Sequence, residues 1–497
     1  MEKGNEIAPS DSEKGSEQHA IDVGHGGGKG TGDVEEAQKD QRVAVAEDVQ
    51  KKKSKRVAAL DAFRGLTIVL MILVDDAGGA YERIDHSPWN GCTLADFVMP
   101  FFLFIVGVAI AFALKVNMIA ESSKHWSSRE EDYTQNSENA LLGSSSPSGY
   151  SHAPDDLSYG VDMKKIRWCG ILQRIALVYF VIALIEAFTR KVRPTTVRSG
   201  PYAIFDAYRW QWLGGLIAFI IYMVTTFSLY VPDWSYVYHN DGDVNDGKQF
   251  TVQCGVRGHL DQACNAVGYI DRQVWGINHI YTQPVWIRSK DCTFSSPNTG
   301  PLRSDAATWC LAPFEPEGLL SSISSILSGT IGIHYGHILI HFKTHKERLK
   351  HWLLMGFSLL VLGILLHFTK GIPINKQLYS FSYVCFTAGA AGIVLSAFYI
   401  LIDVWGLRTP FLFLEWIGMN AMLVFVLGAQ GILAAFVNGW YYESPDTTLV
   451  HWIVKHVFVN VWHSQRLGTL LYVIFGEIVF WGVMAGILHK LRIYWKL

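Results

Sequence analysis

Apolar runs of roughly 20 residues recur along this chain, the length an α-helix needs to cross a hydrocarbon core. They fall at 57–76, 94–114, 168–188, 210–231, 319–340, 352–368, 378–402, 410–437 and 469–488. Inside a bilayer each backbone amide must find its partner within the segment, so spans of this kind are helical. Half of the residues are hydrophobic, 17% are charged and 17 are Trp, in keeping with that reading. The sequence therefore predicts an all-α polytopic transmembrane helix bundle of nine or ten spans, with lipid as its principal surroundings. A formal net charge of −2 and the lack of a recognisable reading module give no support for a nucleic-acid partner.

Residues 1–50 are rich in Gly, Glu, Lys, Asp and Gln and read as a disordered polar tail. Lys51, Lys52, Lys53, Lys55 and Arg56 follow directly before the first span. Such a cluster favours a cytosolic N-terminus, and serves more simply as a topology signal than as a lipid switch. Residues 1–56 are thus expected to be a tail and 57–497 a transmembrane domain, interrupted by polar insertions at 116–165 and 232–317. Residues 449–462 are apolar but short and contain His451, Lys455 and His456, which suits an interfacial or re-entrant segment.

Charge and parity conflict. Nine spans place the termini on opposite faces, yet Lys490, Arg492 and Lys496 also give the C-terminal end a basic flank, and the connections 190–209 and 343–350 agree with it. Counting backwards, the parity fails before Trp168, within the Ser-rich insertion 116–165.

Four of the seven cysteines, Cys254, Cys264, Cys292 and Cys310, lie in the 232–317 loop, which the charge rule puts on the extracytoplasmic side. An oxidising compartment would let them form two bridges in any of three pairings. Zinc is the competing reading, but no two of them are closely spaced. No N-glycosylation sequon occurs in the chain.

Chemistry concentrates between the first two spans. Asp75, Asp76, His86 and Asp96 all lie close to membrane edges, where ionisable groups are costly and usually functional. An imidazole titrating near neutrality can take a proton from an amine or attack a thioester itself, and a carboxylate can hold its other ring nitrogen. His86 is the candidate centre, with Asp96 and Asp75 as candidate partners. Trp89 and Asn90 could pack on and hydrogen-bond a sugar, and Gly78-Gly79 would let the backbone approach a ligand. The simpler alternatives are an interfacial loop histidine, an aromatic-belt Trp and a helix end at Asp75-Asp76.

The same stretch resembles the heparan-α-glucosaminide N-acetyltransferase family of lysosomal transmembrane enzymes. The resemblance rests on Asp61-Ala-Phe-Arg64-Gly65, Asp75-Asp76-Ala-Gly78-Gly79 and His86-Ser-Pro-Trp89-Asn90-Gly91-Cys-Thr-Leu-Ala-Asp96. It continues through Gly170-Ile-Leu-Gln-Arg174, Gly268-Tyr-Ile-Asp271-Arg272, Glu315-Pro-Glu317-Gly318, Pro373-Ile-Asn375-Lys376, Ser380-Phe-Ser-Tyr383 and Gly418-Met-Asn420, covering about residues 58–497. It implies acetyl transfer from cytosolic acetyl-CoA to a sugar acceptor, namely the amino group of a terminal glucosamine, on the far side of the membrane. No metal is implied.

The resemblance further implies that His86 is the catalytic histidine and Asp96 its aspartate, with Asp75 standing where the animal enzyme has Asn. Direct transfer and a two-step route through acetyl-His86 both fit. The same likeness implies a lysosomal or vacuolar membrane, a homodimer, and one more span at the place taken here by the Ser-rich stretch. That span would put His86 on the lumenal side and reconcile both basic ends.

Remaining polar residues have two readings each. Arg64 and Arg174 could meet the phosphates of CoA, or act as bundle ion pairs, with Asp61–Arg64 the obvious one. Asp76, Asp271 and Glu317 could contact the sugar, or scaffold the loop in the case of Asp271, Arg272 and Glu317. His334, His337 and His341 share a helical face and could bind metal or pass protons, which would make the chain a multi-span transporter without transferase chemistry. Their position next to the basic 343–350 loop also suits an ordinary helix end.

Overall fold

A computed structural model of the chain describes residues 57–121, 149–150, 161–162, 166–189, 202–239, 245–429, 432–439, 441 and 448–495. The N-terminal tail, its basic cluster and most of the 116–165 insertion lie outside the described residues, with the readings made of them.

The bundle comprises α1 (Ala58–Ala77), α2 (Ala95–Glu121), α3 (Ile171–Thr189), α4 (Arg209–Ser228), a short cap helix α5 (Ala266–Trp275), α6 (Leu319–His341), α7 (His345–Phe368), α8 (Phe381–Phe398), α9 (Leu412–Met419) and α10 (Gln465–Lys490). Among the described residues seven helices are long and apolar enough to cross a membrane, and a bent pair makes an eighth. α1 packs with them although it carries Asp61, Arg64, Asp75 and Asp76.

Small residues set the closest helix contacts. A Cβ on Gly107 of α2 would lie 2.3 Å from the carbonyl oxygen of Gly329, and one on Gly332 of α6 would lie 2.2 Å from that of Phe104. The two backbones therefore touch where lipid-embedded helices gain most from close approach. Around this seam Phe63, Leu103, Phe104, Tyr335, Tyr383 and Leu395 form the buried core.

Sequence and structure differ over residues 410–437, read as one span. The helix breaks at Asn420, and the pieces Thr409–Met419 and Ala421–Gly428 meet at 73°. Gly418 lets the α1 backbone in, since a Cβ there would be 1.9 Å from the carbonyl oxygen of Asp61. Asn420 then leaves helical geometry, and its side chain accepts from the Trp495 amide at 3.3 Å. Gly and Asn are weak helix formers, and here each serves a tertiary contact instead. The 449–462 segment is helical and folds back on the start of α10, with Phe458 against Tyr472 and Val459 against Gly468.

Contacts along the helices fix their directions. Arg174 meets Ser321 and Ser322, Val178 and Ile182 meet Gly329, and Glu186 meets His337, so α3 runs parallel to α6. Gly107 meets Gly329 and Ile333, and Ala111 meets Gly336, so α2 runs the same way. Both α2 and α3 consequently start at the face where α6 starts, so the end of α2 and the start of α3 lie at opposite faces. This is the parity conflict of the sequence, now located between two described helices. Val57 and the end of α10 lie at the other face, where Ala59 donates to Asp403 and Trp495 to Asn420.

A cap built from the 232–317 loop covers the face where α6 begins. Strands β1 (Tyr230–Val231) and β4 (Val256–Arg257) pair antiparallel, as do β2 (Trp234–Val237) and β3 (Gln249–Val252). Disulfides join Cys254 to Cys264 and Cys292 to Cys310, which resolves the pairing left open by the sequence. Asn265 caps α5 by accepting from the Gly268 amide at 2.8 Å.

Candidate active site

His86 lies in the connection from α1 to α2, beneath the cap. Asp96, in the first turn of α2, is fully buried, while the His86 side chain remains 31% exposed and so can be reached by a ligand. Nδ1 of His86 is 2.8 Å from Oδ1 of Asp96. The other carboxylate oxygen accepts from the Ser87 amide at 3.3 Å and from the amide and hydroxyl of Thr93, each at 3.0 Å. A carboxylate can only accept, so Nδ1 carries the proton and Nε2 presents its lone pair to the site. Tyr383 of α8 completes the support by donating to the Asp96 carbonyl at 2.5 Å.

A second connection, between α7 and α8, pairs with this one. The Gly91 amide donates to the Ile374 carbonyl at 2.8 Å, and Asn375 Nδ2 to Asn90 Oδ1 at 3.3 Å. Asn375 also closes its own turn, accepting from the Leu378 amide at 2.9 Å. This register brings Lys376 to His86, with Nζ 3.0 Å from Nδ1 and 3.1 Å from Nε2. Burial first, and then the Lys376 ammonium, push the His86 pKa below the ordinary histidine value, against the opposing pull of Asp96 and Glu317. Burial likewise lowers the Lys376 pKa, opposed by Asp96, Glu317 and Asp75.

The cap holds the other side of the loop. Arg288 forms an ion pair with Asp85 and donates to the His86 carbonyl at 2.6 Å. Asp85 in turn accepts from the His86 amide at 2.6 Å. Trp89 is buried in the cap core, edge-on to Trp286 and Phe314, and donates to the Leu260 carbonyl at 3.1 Å. Its ring is committed to packing, whereas Asn90 stays exposed at the rim.

Other residues singled out in the sequence are distributed more widely. Asp75 is exposed at the end of α1 and its charge reaches Lys376, while Asp76 shares a hydrogen bond with Glu477 of α10. Glu317 accepts from Arg167 at 2.5 Å, and its charge acts on both His86 and Lys376. Arg167 also pairs with buried Glu315. Asp271 is fully buried, accepts from the Leu319 amide at 2.8 Å at the start of α6, and has its pKa pushed up to about 7 by burial. Neighbouring Arg272 lies 3.8 Å over the Trp234 ring.

The two arginines considered for CoA are not brought together. Arg174 is 3% exposed and donates to the Pro316 carbonyl and the Ser321 hydroxyl, each at 2.5 Å, under the cap. Arg64 sits toward the other face, 3.3 Å from Asp61 and 3.5 Å from the Gly418 carbonyl, with part of its side chain exposed. The histidines of α6 are each engaged within the bundle: His334 accepts from Trp212, His337 meets Glu186 and stacks on Tyr208, and His341 meets the Tyr208 hydroxyl. Among the described residues, no three His, Cys, Asp or Glu side chains converge as metal ligands.

Lys376, Asn375, Arg288, Asp85 and Tyr383 join the site from distant or unassigned positions. The sequence carried one signal for Lys376 and Asn375, the Pro-Ile-Asn-Lys motif, without showing what it faces.

Fold and site together define a multi-pass helical membrane protein with a histidine–aspartate–lysine centre under a disulfide-bonded cap. The chain is similar in sequence to proteins named heparan-α-glucosaminide N-acetyltransferase. It is 29% identical over 469 residues to the mouse protein of that name, covering 90% of this chain and 62% of the relative. With the human protein of that name it is 28% identical over 462 residues, 89% of this chain and 60% of the relative. The chain thus spans about three fifths of the length of these curated relatives. No family model matches it.

Proposed function

We propose that the chain is a membrane-bound acetyltransferase that moves acetyl from acetyl-CoA to a sugar acceptor, the amino group of a terminal glucosamine in the first instance. The His86–Asp96 contact of 2.8 Å carries this reading, because it orients a partly exposed imidazole with Nε2 free to react. The names of the mouse and human relatives supply the reaction class.

Nε2 can take the proton of the acceptor amine as the amine attacks the thioester carbon, and then give it to the departing CoA thiolate. Alternatively it attacks the thioester carbon, expels the CoA thiolate and passes the acetyl on. In both routes Asp96 holds Nδ1–H and stabilises the cation that forms. The basic face, with Lys343, Lys346, Arg348 and Lys350 near the end of α6, is assigned to the cytosol, and the cap and His86 to the lumen of a lysosome-like or vacuolar compartment. Arg64, toward that face and partly exposed, is assigned the donor phosphate in this reading. From Arg64 to Ala77 the helix rises about 20 Å, so a donor held there must extend along α1 to reach His86.

The test is transfer from labelled acetyl-CoA by purified protein in lipid vesicles, against a panel of amino sugars and neutral sugars. Label on glucosamine-terminated acceptors, with none on neutral sugars, supports the proposal. Absence of transfer to every acceptor by well-folded protein overturns it.

A further inference from the structure

Lys376 is 290 residues from His86 in sequence, yet its Nζ lies within hydrogen-bond distance of the His86 ring. Its position is built rather than incidental. The Gly91–Ile374 and Asn90–Asn375 hydrogen bonds lock the two connections together, and Asn375 is fully buried. Nζ is nearly equidistant from the two ring nitrogens. Nδ1–H is committed to Asp96, and a point equidistant from the two nitrogens that flank one ring carbon lies off the axis of the Nε2 lone pair, so the ammonium acts on the ring through its charge. That charge becomes a like-charge repulsion once the ring is an imidazolium.

We propose that Lys376 is the positioning cation of the site: its ammonium, fixed against His86 by the paired connections, opposes protonation of the imidazole and so keeps Nε2 reactive in an acidic compartment. The inference deepens the acetyltransferase reading and rests on it for its consequence, though not for its physical content. Asp96 from α2 and Glu317 from the segment before α6 face the pair and favour the imidazolium. Asp75 from α1 and Arg174 from α3 act on Lys376, and the Asp85–Arg288 ion pair holds the His86 backbone. Three carboxylates act on the site, and the charge of Lys376 offsets them at the His86 ring. Acid conditions strengthen this role, because they keep the lysine charged.

Diethyl pyrocarbonate acylates neutral imidazole, and its rate at His86 as a function of pH, read by peptide mass spectrometry, reports the fraction of His86 that is unprotonated. In wild-type protein the midpoint is expected below the ordinary value of about 6.5. In Lys376→Met it moves up by about one unit or more, and in Lys376→Arg it stays near that of the wild type. The acidic limb of acetyl transfer should move with it. A wild-type midpoint at or above about 6.5, or equal midpoints in wild type and Lys376→Met, overturns the inference. Should the Met variant fail to fold, Lys376→Gln, which also removes the charge at similar length, is read in its place by the same criterion. If no acetyl transfer is found but the midpoints shift as stated, the functional reading falls and the Lys376–His86 relationship stands.

Discussion

Arg288 of the cap donates to the carbonyl of His86 at 2.6 Å while the same guanidinium pairs with Asp85, the residue before it. The cap thereby fixes the backbone of the candidate catalytic residue. A cap that only shielded the bundle would not need such a contact.

Arg288→Ala should therefore lower acetyl transfer by about 10- to 100-fold, since small misplacements of a reacting group cost that much. Measuring kcat in the vesicle assay, with melting temperature as control, separates loss of placement from loss of fold.

Asp96→Asn keeps an oxygen for the Ser87 and Thr93 donors but no longer enforces the Nδ1–H tautomer of His86. Its kcat should fall on the order of 10³-fold or more with little change in KM. A loss below tenfold would remove Asp96 from the mechanism.

Gly332→Val drives a side chain into the α2 backbone, where even a Cβ would stand 2.2 Å from the Phe104 carbonyl oxygen. Destabilisation of about 1–3 kcal/mol or more is expected, visible as a lower melting temperature and poor recovery from detergent.

The cap should be most stable in acid. Asp271 has a carboxyl pKa of about 7 in the folded protein against an ordinary 3.8. The folded state binds more protons than the unfolded state between these values, so this stability falls as pH rises through that window and levels off above it. Melting of the wild type between pH 5 and pH 7.5 should show the decline, and Asp271→Asn should flatten it.

How far the sequence was legible depends on the distance over which each feature is decided. Spans such as 319–340 and 94–114 were readable because a bilayer imposes its thickness locally. His86 and Asp96 were readable because they flank one short connection. Asn420 looked like part of a continuous span because the contacts that break the helix come from Asp61 and Trp495. Lys376 and Arg288 reach His86 only through the tertiary pairing of separate connections, which no spacing along the chain encodes. Trp89 was readable as important but not as a cap-core residue, since Trp286 and Phe314 lie about 200 residues on.

The most direct test compares purified wild type and His86→Ala for transfer of label from acetyl-CoA to glucosamine, with folding matched by melting temperature. The account predicts robust transfer by the wild type and a fall to background in the variant. Transfer by His86→Ala at the wild-type rate would contradict it.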